Sequence, residues 1–233
     1  MRKPASVVQW IEYAPPKGVI AVRLCTEAQM ITRNIVILPP PEIAEQAMTW
    51  SREVASEYKT DFVLDGKQFY PHITIYQAAY PDRNLPYVEK QLTELVKYVK
   101  PFRVKSTTFS TMVGFIFLNF TKSEELISLH KQIVEICNPL REGEGIPAEL
   151  KNLTDPNVPE FIKHSIRTYG SALAMEAYMP HITISRLQNR QDADRALEVL
   201  GKTEVTFDVH GISLGNIGID GSVNEIFKET PFR

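Results

Sequence analysis

The chain has little cysteine: two residues in 233, Cys25 and Cys137, far apart and without metal-type spacing. That excludes a disulfide scaffold or a cysteine-rich zinc module and reads as reduced thiols in a cytoplasmic protein. Long apolar runs are missing too. No stretch approaches the roughly 18 consecutive apolar residues of a membrane span. The N-terminus opens basic with Arg2 and Lys3, but Gln9 and Glu12 interrupt the apolar residues beyond, so no signal-peptide core is expected. An excess of one charge is also lacking, with 26 Lys plus Arg against 28 Asp plus Glu and a formal net charge of −2. A highly charged nucleic-acid coat is therefore excluded, although a local basic rim is compatible with the balance. Gly215, Gly218 and Gly221 neither follow a strand nor open a helix, so they read as turns and not as a phosphate loop. What is present is ordinary globular composition, 43% hydrophobic and 23% charged, on a chain long enough to bury a sizeable core.

The informative feature is a repeat. Pro71-His72-Ile73-Thr74-Ile75 recurs without change as Pro180-His181-Ile182-Thr183-Ile184. Chance alone would produce such a pair in roughly one chain in a hundred. The surroundings repeat as well. Asn34 to Leu38 is an apolar, β-branched run stopped by Pro39, and Pro41 to Lys59 carries apolar residues at helical spacing. Leu85 to Val99 reads as a second helix, ended by Pro101, and Phe102 to Phe109 alternates as a strand. Around the second copy the order is the same. Val113 to Phe120 reads as a strand, and Ser123 opens a helix with an inner stripe of Leu126, Leu129, Ile133 and Ile136. Asp192 to Leu200 reads as a helix closed by Gly201, and Glu204 to Ile212 as a strand.

The predicted fold is α+β: two pseudo-symmetric lobes from a duplicated β-α-β-α-β unit, with antiparallel or mixed sheets flanking a central cleft and helices outside. The chain divides as residues 1–33, an N-terminal extension; 34–110, the first repeat; 112–212, the second; and 213–233, a C-terminal turn with a strand near Glu225 to Lys228. The second repeat carries about 29 extra residues, an insertion at about 139–176. It reads either as a lid over a site between the lobes or as a surface excursion, with a short helix from Pro159 to Tyr169. In the extension, Val7 to Tyr13 and Val19 to Leu24 suit strands, while Val19 to Ile31 also suits a helix.

On a strand, residues two apart share a face. His72, Thr74 and Tyr76 therefore fall together, as do His181, Thr183 and Ser185, with the isoleucines turned to the helices. Two His-Thr pairs facing each other across a cleft suit phosphoryl transfer without a metal. One neutral imidazole takes a proton from the nucleophile and the other, protonated, supplies the leaving oxygen. The threonine hydroxyls hydrogen-bond the non-bridging oxygens as charge builds there. A metal site is the competing use of histidine. No Cys or carboxylate lies beside either motif at ligand spacing, so no metal or other cofactor is expected.

These motifs resemble the signature of the 2H phosphoesterase superfamily, which includes the 2′-5′ RNA ligase-like proteins and the cyclic phosphodiesterases. The resemblance covers about residues 34–230. It implies a two-lobed fold with a water-filled cleft and metal-independent chemistry on 2′,3′-cyclic phosphates or 2′-5′ linkages. It also implies that His72 and His181 are base and acid in one order or the other, with Thr74 and Thr183 beside them. The alternatives are a nucleotide- or RNA-binding module without turnover, and an RNA end ligase using the same cleft.

The expected partner is a small nucleotide or short oligonucleotide, with neither a membrane nor an obligate protein partner, as the near-neutral charge favours. Tyr76 and Ser185 are candidate substrate contacts by periodicity. Phe115 and Phe117 point alike, placed either for core packing or to stack on a base. Arg186, by strand parity, falls opposite His181 and suits a salt bridge at the lobe edge. His130 is expected at the surface of its helix; His164, with Lys163 and Arg167, meets an anionic ligand only if the insertion folds over the cleft.

Overall fold

The computed structural model describes residues 8–11, 22–25, 28–218 and 221–233. Strands β1 (Val8–Ile11) and β2 (Val22–Cys25) pair antiparallel as a separate ribbon, so the second segment is a strand and not a helix. The side chains of Trp10 and Cys25 lie outside the described residues. The first repeat runs β3 (Met30–Ile37), α1 (Pro41–Glu57), β4 (Ile73–Pro81), α2 (Leu85–Leu95) and β5 (Phe102–Met112). The second runs β6 (Phe115–Phe120), α3 (Glu124–Cys137), α4 (Pro147–Leu150), α5 (Glu160–Tyr169), β7 (His181–Arg186), α6 (Ala193–Leu200), β8 (Thr206–Val209) and β9 (Gly211–Ile217). A last strand, β10 (Val223–Pro231), lies on the edge.

Local chemistry accounts for the helix starts. Pro41 sits in the first turn of α1, where a missing N–H costs nothing, and the Ser123 hydroxyl accepts from the Leu126 N–H at the start of α3. Val113 (φ 53°) and Gly114 (φ 86°) form the tight β5–β6 connection, so β6 begins two residues later than the pattern predicted. Gly215, expected in a turn, lies inside β9. A Cβ there would stand 2.7 Å from the Glu225 carbonyl oxygen, so only glycine lets β10 approach.

Eight strands form one antiparallel sheet in the order β10-β9-β3-β4-β7-β6-β5-β8. The two motif strands, β4 and β7, are central neighbours that pair only at Ile73 and Ile182 before diverging. The third strand of each repeat crosses to the other half. β5 pairs with β6, and β9 pairs with β3, while Phe102–Lys105 of β5 pair with Thr206–Val209 of β8. The helices cross in the same way, α1 lying against β7 and α3 against β4. Neither half could bury its own apolar face alone, because the covering helix belongs to the other repeat. Ile35, Ile37, Ile73, Ile75, Ile116, Leu118, Ile182 and Ile184 form the centre of the core. No helix among the described residues is long and apolar enough to cross a membrane.

The insertion, with α3 before it and Tyr178 after it, seals the edge that β7 leaves open on β4. The Tyr178 hydroxyl donates to the Thr74 carbonyl (3.2 Å), and His130 Nδ1 donates to that of Ile75 (2.7 Å). The Tyr76 hydroxyl donates to the Tyr169 carbonyl at 2.6 Å, and Asn84 binds the Leu140 carbonyl at 2.8 Å. The segment is thus an integral wall of the first half. His130 is buried and not on the surface as expected, because position 130 lies one turn after Leu126 on the inner stripe.

Candidate active site

Each motif histidine is fixed by its own strand entry. His72 Nδ1 donates to the Tyr70 carbonyl and His181 Nδ1 to the Met179 carbonyl, both at 2.7 Å. In both copies a proline intervenes and holds the preceding residue extended, turning that carbonyl toward the ring. With Nδ1 committed as donor, Nε2 is left for proton exchange in both rings. His72 and Thr183 line the same narrow cavity, with Phe62, Leu64, Tyr70 and Ser222. The halves therefore converge on one point. The cavity has room for about one water (≈ 10 Å³). No residue of 139–176 lines it, and the closing side chains come from the α1–β4 connection and the entry to β10.

Burial lowers the pKa of both histidines. His181 falls to about 4, first through desolvation, opposed by its carbonyl bond and further depressed by charge on His72. His72 is lowered by desolvation against the favourable Tyr70 bond. A proton on either ring thus disfavours a second one on the other.

The structure corrects the assignment of two candidates. Tyr76 and Ser185 are buried, at 1% and 0% exposure, and do not share the histidine face. The register gives the reason. Ile35 pairs with Tyr76 but Val36 with Thr74, leaving Ile75 as an extra residue; likewise Ile116 pairs with Ser185 and Phe117 with Thr183, leaving Ile184. Both motif strands carry a β-bulge at the same position, which shifts the side-chain alternation by one residue. Gln77 and Arg186 take the cleft face instead. Arg186 stacks its guanidinium over Phe115 at 4.7 Å, Phe115 stacks on Phe117, and Phe117 packs against His181 with ring centroids 4.2 Å apart. Arg186 Nε also lies 3.5 Å from Asp61, which agrees with the expected ion pair although the residue is on the other face.

Phe115 and Phe117 are thus committed to this ladder, and Phe117 is a support for the His181 ring. In the first half the register-equivalent residues are Asn34, Val36 and Gln77. Gln77 donates to Glu149, which also accepts from the Ala172 N–H, and burial raises the Glu149 carboxyl to about 7. His164 is exposed on α5, and Arg167 pairs with Glu160. Sequence reasoning missed Asn34, which donates to Thr74 Oγ1 at 3.1 Å; its only signal is a polar residue opening an apolar strand.

The family model described as the 2′-5′ RNA ligase superfamily matches residues 39–218. Among solved structures, TT0787 of Thermus thermophilus is similar, with a TM-score of 0.51 and 14% identity over 87% of this chain and 98% of that one. E. coli LigT complexed with NADP+ gives a TM-score of 0.44 and 13% identity, covering 88% of this chain and 96% of LigT. The LigT structure complexed with 3′-AMP gives 0.43 and 15%, covering 88% and 97%. No curated protein matches the sequence.

Proposed function

For a chain that belongs to the 2′-5′ RNA ligase superfamily, of the 2H phosphoesterase type, we propose a metal-independent phosphodiesterase. It acts on a 2′,3′-cyclic phosphate or 2′-5′ linkage of a nucleotide or short oligonucleotide in the cytoplasm. The observation that carries this reading is that His72 of one motif and Thr183 of the other line the same cavity, with each motif imidazole pinned through Nδ1.

In the reaction, the neutral histidine takes a proton from water as the oxygen–phosphorus bond forms. The bond to the leaving ribose oxygen breaks, and the protonated histidine gives that oxygen its proton. One of His72 and His181 serves as the acid and the other as the base, in the order set by the direction in which the substrate lies. The Thr74 and Thr183 hydroxyls donate to the non-bridging oxygens, and the Arg186 cation adds to the stabilisation on the His181 side. A superfamily named for ligation favours a second reading, in which the same groups join a 2′,3′-cyclic phosphate to a 5′-hydroxyl end by the reverse reaction.

The test is single-turnover cleavage of the four 2′,3′-cyclic nucleoside monophosphates and of 2′-5′ dinucleotides, with and without EDTA. Cleavage that survives EDTA and is lost in His72→Ala and His181→Ala supports the proposal. Nucleotide affinity with no cleavage across the panel would make the protein a binding module.

A further inference from the structure

The two catalytic threonines differ in what holds them. Thr74 Oγ1 accepts a hydrogen bond from Asn34 Nδ2 at 3.1 Å, and its carbonyl is taken by the Tyr178 hydroxyl. Among the described residues Thr183 Oγ1 has no hydrogen-bond partner, and the register position equivalent to Asn34 is Phe115. Asn34 is fully buried (0% exposed) between Gln77 of β4 and Gly215 of β9, a costly place for an amide unless its bond has a use. Its Oδ1 has no partner among the described residues, so the Thr74 contact is the single side-chain bond it makes. The reverse amide orientation would leave both amide protons unpaired, against one proton and the oxygen in this one, and orphaned N–H groups are the costlier.

A hydroxyl carries one proton and two lone pairs. Once Asn34 donates to one lone pair, the Thr74 proton is directed elsewhere, and the half-buried side chain keeps an accessible side for it. We infer that Asn34 is a positioning residue that commits Thr74 to donate its proton to a phosphate oxygen, leaving Thr183 as the adaptable partner. This rests on the phosphodiesterase reading and deepens it: the His72 half is preorganised and the His181 half adjusts to the substrate. Preorganised donors act without reorganisation when charge develops, so the benefit falls on kcat more than on KM.

The experiment is a double-mutant cycle on the cyclic nucleotide cleaved fastest, repeated as the Kd of 2′-AMP. Asn34→Leu should lower kcat about tenfold, the value of one hydrogen bond, with KM nearly unchanged. In a Thr74→Val background the same substitution should change kcat less than about twofold, while in Thr183→Val the tenfold loss should persist. Equal losses in the wild-type and Thr74→Val backgrounds would mean that Asn34 is structural only and would overturn the inference. Asn34→Ala runs the same cycle if the leucine variant does not fold, and urea unfolding separates stability from rate. Coupling in the 2′-AMP affinity without turnover of any substrate would sink the phosphodiesterase reading while keeping the positioning role. Full cleavage with additive losses would do the reverse.

Discussion

The two halves of the candidate site are built on the same plan and finished differently. Each has a histidine bonded to the carbonyl two residues earlier, a threonine two residues later and a bulge after that. Beyond the bulge the likeness ends. The His72 half continues into amides, with Asn34 on Thr74 and Gln77 on Glu149. The His181 half continues into a ladder of Phe117, Phe115 and Arg186. Duplication therefore kept the His-x-Thr groups, to which the proposed function gives the same task on both sides of a phosphate. It let the supports diverge, because the substrate on either side of that phosphate is not symmetric.

The comparison breaks most sharply at the histidines. His72→Ala and His181→Ala should each cost on the order of 10²- to 10⁴-fold in kcat. On uridine 3′-(4-nitrophenyl phosphate), whose leaving group needs no proton, the variant lacking the acid should recover most of its rate. Recovery in His72→Ala identifies His72 as the acid, and recovery in His181→Ala identifies His181.

The next difference lies beyond the bulges. Arg186→Leu should lower kcat/KM about 10²-fold by removing a cation near the phosphate, whereas Gln77→Leu should cost less than about threefold. Equal effects would mean that the halves are supported alike. A stability contrast arises from the insertion. His130 Nδ1 donates to the Ile75 carbonyl, Nε2 accepts from the Met175 N–H at 2.8 Å, and the ring stacks on Tyr178. His130→Leu leaves two backbone groups unpaired and should cost about 2–4 kcal/mol in urea unfolding. It should also flatten the acid limb. Burial holds the His130 pKa at about 4, below the unfolded value near 6.5, so its contribution is complete above about pH 6.5 and is lost as pH falls toward 4.

The smallest effect is in the pH profile. Both motif histidines lie below the ordinary imidazole value, His181 at about 4, so one is charged and the other neutral only on the acid side of pH 6.5. A bell-shaped kcat/KM profile with its maximum below about pH 6.5 is expected. Phe117→Leu, which opens the His181 ring to water, should move the acid limb upward. A maximum at or above pH 7 would show that the rings are not desolvated in the free protein.

Sequence by itself determined the repeat, the order of elements and the four motif residues, because strand and helix periodicity and a five-residue identity are local signals. For Thr74 and Thr183 the periodicity has a single residue, Ile73 or Ile182, to cross from the histidine, and the register is regular there. It failed for Tyr76, Ser185 and Arg186, and the cause is one residue of bulge in each strand. A bulge is a mismatch of register between two strands, so it has no signature within either one. The exchange of β5 and β9 between halves escaped for the same reason: which strand a segment pairs with is decided by burial of the whole sheet. Asn34 was hidden inside an apolar run and became meaningful only when β3 was laid beside β4. Residue identity and order thus set which groups can do chemistry, while tertiary structure decided which of them meet, because facing, partnering and desolvation belong to pairs of segments and not to one.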